Sequence, residues 1–133
     1  MKAGMIVKKH TQDRHCFDLL AADGLILCRS EAYAAEEACM AAISQLREAC
    51  SAPVEDQTLG DYEQLDCPKY EMFRNHAGQY AFLLKDSGGA VLVRGPIFLA
   101  AYTCRQGIAQ VAESAPGAEL IVLTHEAKPL AYW

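Results

Sequence analysis

The sequence predicts an α+β fold: two tandem β-β-β-α-β repeats that form one antiparallel sheet, with a helix from each repeat packed on it. Three observations carry this prediction. Shifted by 65 residues, Phe17–Glu48 falls on Phe82–Glu113 without a gap, with ten of 32 positions identical. Glycine turns separate short apolar runs at matching places in the two copies, at Asp23-Gly24 and Gly88-Gly89. Each copy then carries a stripe of apolar residues at helical spacing.

The elements follow in chain order. Met5–Lys8 is a short apolar run that reads as a strand, and Lys9–Arg14 is polar and turn-like. Phe17–Leu20 is the next strand. Asp23-Gly24 marks a hairpin because both residue types tolerate positive φ, and Leu25–Cys28 is the returning strand. Ala35, Cys39, Ala42, Ile43, Leu46 and Cys50 form one face of a helix. Small residues on that stripe let the helix axis lie close to a sheet. Val54–Thr58 is the weaker, acidic strand that follows.

The second copy repeats the order. It has Tyr70–Phe73, a turn at Asn75–Gly78, Tyr80–Leu84, the Gly88-Gly89 turn and Val91–Val93. Its helix stripe is Ala100, Cys104, Gly107, Ile108, Val111 and Ala115, and Glu119–Thr124 is the most strand-like run in the chain. The repeats thus span about 5–58 and 70–124, with an acidic linker at about 55–68 and a tail at 125–133. Each half is at the low end of the size that supports its own core. One domain spanning residues 1–133 with a shared core is therefore expected.

Composition narrows the function classes. Apolar residues make up 52% and charged residues 22%, as in an ordinary soluble domain. Net charge is −5, and basic residues cluster only at Lys8-Lys9-His10 and Arg14-His15. Nucleic-acid affinity depends on neutralising phosphates, so no nucleic-acid partner is expected. No apolar run approaches the roughly 20 residues of a membrane span. The apolar run near the start is too short for a secretory core, so a cytoplasmic location is expected. None of the six cysteines forms a C-x-x-C pair, which points to reduced, mostly buried thiols.

Taken together, these residues resemble the bacterial YegP-like tandem-repeat proteins, a domain of unknown function. The first copy supplies Phe17-Asp18-Leu19, Asp23-Gly24, Ile26-Leu27, Ser30-Glu31-Ala32-Tyr33 and Ala42-Ile43-Ser44-Gln45-Leu46. The second supplies Phe82-Leu83-Leu84, Gly88-Gly89, Val91-Leu92 and Gly107-Ile108-Ala109-Gln110-Val111. The resemblance implies that the two units join in a single sheet and exchange their C-terminal strands. Glu119–Thr124 would then pair with the first repeat, and Val54–Thr58 with the second. It implies no activity, substrate or catalytic residue. The chain departs from the family's pattern in two places. Gly95-Pro96-Ile97-Phe98 replaces Ser-Glu-x-Tyr in the second copy, and alanines (Ala35, Ala100) stand where a helix-capping hydroxyl is usual.

Candidate chemistry is sparse. Arg29 and Arg94 are the one charged pair repeated on strands, and two planar guanidinium forks could share an anion. The structural alternative pairs each with a nearby acid such as Glu31. Ser30 and Glu31 occur in one copy only, as do Tyr132 and Trp133 in the tail, where aromatic residues suit an interface. His10, His15 and Cys16 are metal-ligand types, but no fourth ligand is visible, so no metal or cofactor is expected. Cys39 and Cys104 lie on helix stripes, and Cys67 in the linker is the thiol most open to solvent. No catalytic constellation is present. The expectation is a non-enzymatic structural or interaction module. Its partner would be a protein or a second copy, and the alternative is a small-ligand or anion binder using the arginine pair.

Overall fold

The computed structural model describes residues 4–123. In chain order the elements are β1 (Met5–Thr11), β2 (Arg14–Leu20), β3 (Ile26–Ser30), α1 (Glu36–Ala49), β4 (Val54–Asp56), β5 (Lys69–Arg74), β6 (Tyr80–Lys85), β7 (Val91–Arg94), α2 (Ala101–Ser114) and β8 (Glu119–Val122). The eight strands form one open sheet in the order β4-β5-β6-β7-β3-β2-β1-β8. The fold is mixed α+β.

Tight turns set the two meanders. Gly24, Gly78 and Gly89 have φ of 92°, 79° and 89°, the left-handed region that a side chain disfavours. The Asp86 carboxylate locks its turn by accepting from the Gly88 and Ala90 N–H groups, both at 2.9 Å. Lys9–Arg14 is not a turn as a whole. β1 runs on to Thr11 and pairs with Arg14, leaving Gln12-Asp13 as the turn. His10 and Thr11 are polar, but they sit opposite His15 and Arg14 near the hairpin tip, where no apolar pattern is needed.

The sheet is antiparallel across its six central strands and parallel at both outer pairings, β1 with β8 and β4 with β5. This corrects the expectation of a wholly antiparallel sheet. A short hairpin joins only antiparallel neighbours, whereas a strand delivered by a helix is free of that constraint. β4 and β8 each follow a helix. They are also shorter than expected, ending at Asp56 and Val122.

Both helices cover one face of the sheet. Phe17, Leu19, Tyr70, Met72, Phe82 and Leu84 pack there against Cys39, Ile43, Leu46, Cys104, Ile108 and Val111. The Tyr70 hydroxyl donates to the Cys50 carbonyl at 2.6 Å, which satisfies a phenol that is otherwise fully buried. Ala35 and Ala100 are the N-cap residues, and neither helix has a side-chain cap.

Candidate functional site

The two repeated arginines meet where the halves of the sheet join. β3 and β7 pair only at their last residues, with Arg29 directly opposite Arg94 and Ser30 opposite Val93. One row across four strands therefore reads Asp18, Arg29, Arg94, Leu83. Residue 83 is 65 places after residue 18, so the row is symmetric in position and asymmetric in charge.

Facing like charges cost a few tenths to about 1 kcal/mol unless they are compensated. Both arginines find carboxylates that exist in the first copy only. Arg29 Nε lies 3.5 Å from Asp18 Oδ1, and Arg94 Nε donates to Glu31 Oε2 at 3.0 Å. Asp18 is nearly buried and also accepts from Lys9 Nζ at 2.8 Å. The two guanidinium groups remain about half exposed, at 49% and 55%. The face opposite the helices thus carries a cationic seam with two acids set into it. Donors on this seam can orient a carboxylate or phosphate oxygen.

Ser30 has a different role. Its hydroxyl accepts from the Phe17 N–H and donates to the Glu31 carbonyl, both at 2.8 Å. At the matching place Gly95 donates its own N–H to the Phe82 carbonyl at 3.0 Å. A Cβ on Gly95 would lie 2.2 Å from the Phe82 ring. Each copy thus completes its sheet at this point in its own way, and the Ser30 hydroxyl is committed to the backbone. Tyr132 and Trp133 lie outside the described residues.

The His10 and His15 rings stack at 4.4 Å, and Lys8 Nζ sits 3.2 Å from His15 Nδ1 and 3.3 Å from Glu36. Cys16 is opposite Lys9, one strand position out of step with that cluster. Among the described residues no group of three or more His, Cys, Asp or Glu side chains could hold a metal ion. Cys28, Cys39, Cys50 and Cys104 are buried, and Cys16 and Cys67 are half-buried. Burial pushes the Cys104 thiol up to about 11, and burial followed by the Asp18 charge raises Cys28 further. Protonated thiols are poor nucleophiles.

Two features escape sequence reasoning. The acidic run is only in part a solvated linker, because Glu55 is 2% exposed and bonds to Lys69 Nζ at 2.7 Å. Its Oε1 also accepts the Leu65 N–H at 2.7 Å, which draws the linker onto the sheet. Asp56 pairs with Arg105 of α2. The partners are 14 and 49 residues apart, so no local pattern announces them. The second feature is an apolar surface at the start of α2. Ile97, Leu99 and Tyr102 are 53%, 84% and 70% exposed. Its sequence signal is the replacement of Ala32, Ala34 and Glu37 by these residues 65 places later.

Comparison with known proteins bears on the fold. Residues 11–56 match the family model described as "Domain of unknown function (DUF1508)". A comparison with curated proteins finds no match. The solution NMR structure of the protein of unknown function yegP from E. coli has 19% sequence identity and a TM-score of 0.74, over 92% of this chain and 94% of that one. The solution NMR structure of UPF0339 protein SO3888 from Shewanella oneidensis has 16% identity and a TM-score of 0.74, over 91% and 92% of the two chains. The chain is therefore YegP-like in fold: residues 11–56 match the DUF1508 model, and the whole resembles the structures of two YegP/UPF0339 proteins.

Proposed function

We propose that this protein is a non-enzymatic, cytoplasmic interaction module of bacterial type. The observation that carries the reading is the exposed trio Ile97, Leu99 and Tyr102. The fold does not demand apolar residues there, since the first copy has Ala32, Ala34 and Glu37 at the matching positions. Large aromatic and aliphatic side chains exposed where the chain enters α2 suit a protein partner. The test is affinity capture with the wild type and with Ile97→Ser/Leu99→Ser/Tyr102→Ser. A partner retained by wild type and lost by the triple variant, at unchanged melting temperature, supports the reading. An unchanged capture profile, or turnover of any substrate, overturns it.

A second reading rests on the facing arginines. Arg29 and Arg94 are register partners and both are about half exposed, which supports a reading in which an oxyanion bridges them. Phosphate or acetate binding that survives in Arg29→Ala and in Arg94→Ala but vanishes in the double variant would favour it over the module.

The architecture supports one further interpretation. The 65-residue repeat, together with β8 beside β1 and β4 beside β5, fits a duplicated unit whose terminal strands are exchanged. On this reading, deleting residues 119–133 removes a strand from the first repeat's side of the sheet. Hydrogen exchange should then rise in β1 and β2. Full protection there would overturn the exchange.

A further inference from the structure

α1 lies against β7 as well as β2, so its outer face borders the β6–β7 hairpin. Between them runs an open groove of about 560 Å³. Ala38 and Ala41 form one wall and Val91 the other, while Glu31, Tyr33 and Asp86 supply polar groups. Among the described residues, no lysine or arginine lines the groove.

The two carboxylates are only partly used. Arg94 bonds to Glu31 through Oε2, and the Asp86 turn uses Oδ1. None of these bonds takes Glu31 Oε1 or Asp86 Oδ2. Burial raises the Tyr33 hydroxyl above its ordinary pKa, and Cys39, Glu31 and Asp86 add to the effect. The phenol therefore stays neutral under the negative potential of both acids.

What opens the groove and what makes it polar are features of one copy. The residues 65 places after Ala38, Ala41, Tyr33 and Glu31 are Thr103, Gln106, Phe98 and Pro96. A scaffold that accepts larger helix residues, a phenyl ring and a proline in one copy does not require two alanines, a phenol and a carboxylate in the other. The combination of apolar walls, carboxylate oxygens not taken by those bonds and a phenol dipole suits a cation with a hydrocarbon body. Such a ligand buries its chain and keeps its charge against an acid.

We propose that this groove binds a small aliphatic amine in its ammonium form, with the charge between Glu31 and Asp86 and the chain along Ala38, Ala41 and Val91. The proposal does not depend on the interaction-module reading. The test is an amide NMR titration of the full chain with n-butylammonium, and with butyrate at the same ionic strength. Butylammonium should give saturable shifts at Tyr33, Ala41 and Ala90, and butyrate none. Asp86→Asn keeps the turn acceptor and removes the charge, so affinity should fall about tenfold or more. Ala38→Thr/Ala41→Gln, which installs the residues of α2, should abolish the shifts at unchanged melting temperature. Absent or unsaturable shifts, equal shifts with butyrate, or wild-type affinity in either variant would overturn the proposal.

Discussion

Replacing Glu55 by alanine removes the anchor of a buried ion network. The Glu55 side chain is 2% exposed, and its carboxylate accepts from Lys69 Nζ and the Leu65 N–H at 2.7 Å and from Gln57 Nε2 at 2.6 Å. The Lys69 side chain is 5% exposed. Its other acid is Glu71 at 3.3 Å, which is shared with Lys85 at 2.9 Å. Glu55→Ala therefore leaves a buried ammonium with a divided partner and an amide with none. Removing one member of a buried pair costs about 3–5 kcal/mol. For a chain of this size that corresponds to a melting point lower by roughly 12–20 °C. Glu55→Met/Lys69→Met removes both charges and should cost much less, because the penalty lies in the stranded partner and not in the lost attraction. Urea unfolding at constant slope measures the cost, and hydrogen exchange at the Leu65 amide reports the linker contact. A loss below about 1 kcal/mol in Glu55→Ala, with Leu65 still protected, would refute the reasoning.

The same carboxylate makes an acid-range prediction. Burial alone would raise its pKa, but hydrogen bonds from Lys69, Gln57 and Leu65 hold it at about 2, against an ordinary 4.5. A depressed folded pKa gives stability that is present above about pH 4.5 and lost as pH falls toward 2, and Glu55→Gln should remove that part of the acid slope. Gly95→Ala forces a methyl group into the buried Phe82 ring and should cost about 1–3 kcal/mol or more, while Gly60→Ala, with no atom within 4 Å of the new Cβ, should be close to neutral in the same denaturant titration. Ser30→Ala leaves the Phe17 N–H without its acceptor. It should cost about 1–3 kcal/mol and speed hydrogen exchange at Phe17, and unchanged exchange there would count against the structural role of Ser30.

What the sequence discloses follows the range of each interaction. Hairpin turns are local events, so Asp23-Gly24 and Gly88-Gly89 place β3 and β7 correctly, and the 3.6-residue stripes place both helices. Strand direction at the sheet edges is not local. β4 and β8 are carried to their partners by helices, and nothing in Val54–Asp56 or Glu119–Val122 encodes a parallel neighbour. The repeated arginines are legible as a pair, but their direct opposition depends on β3 and β7 meeting only at their ends. Ser30 and Glu31 are legible as a single-copy motif, and the register separates them into a backbone clamp and a surface ion pair. The burial of Glu55 is invisible because its partner Lys69 lies across the linker.

The differences between the copies locate function better than their identities do. Phe17/Phe82, Leu19/Leu84, Cys39/Cys104 and Ile43/Ile108 are repeated, and all eight residues are buried in the core. Arg29/Arg94 is the repeated pair at the junction, and its compensation is not symmetric. An acid at residue 83, matching Asp18, would face Glu71 on β5, whose carboxylate already serves Lys69 and Lys85. Two facing carboxylates would oppose each other. Leu83 avoids this, and Glu31 compensates Arg94 from the other half of the chain. That reach across the junction brings Glu31 to the mouth of the groove beside Asp86, so the seam and the groove share one carboxylate.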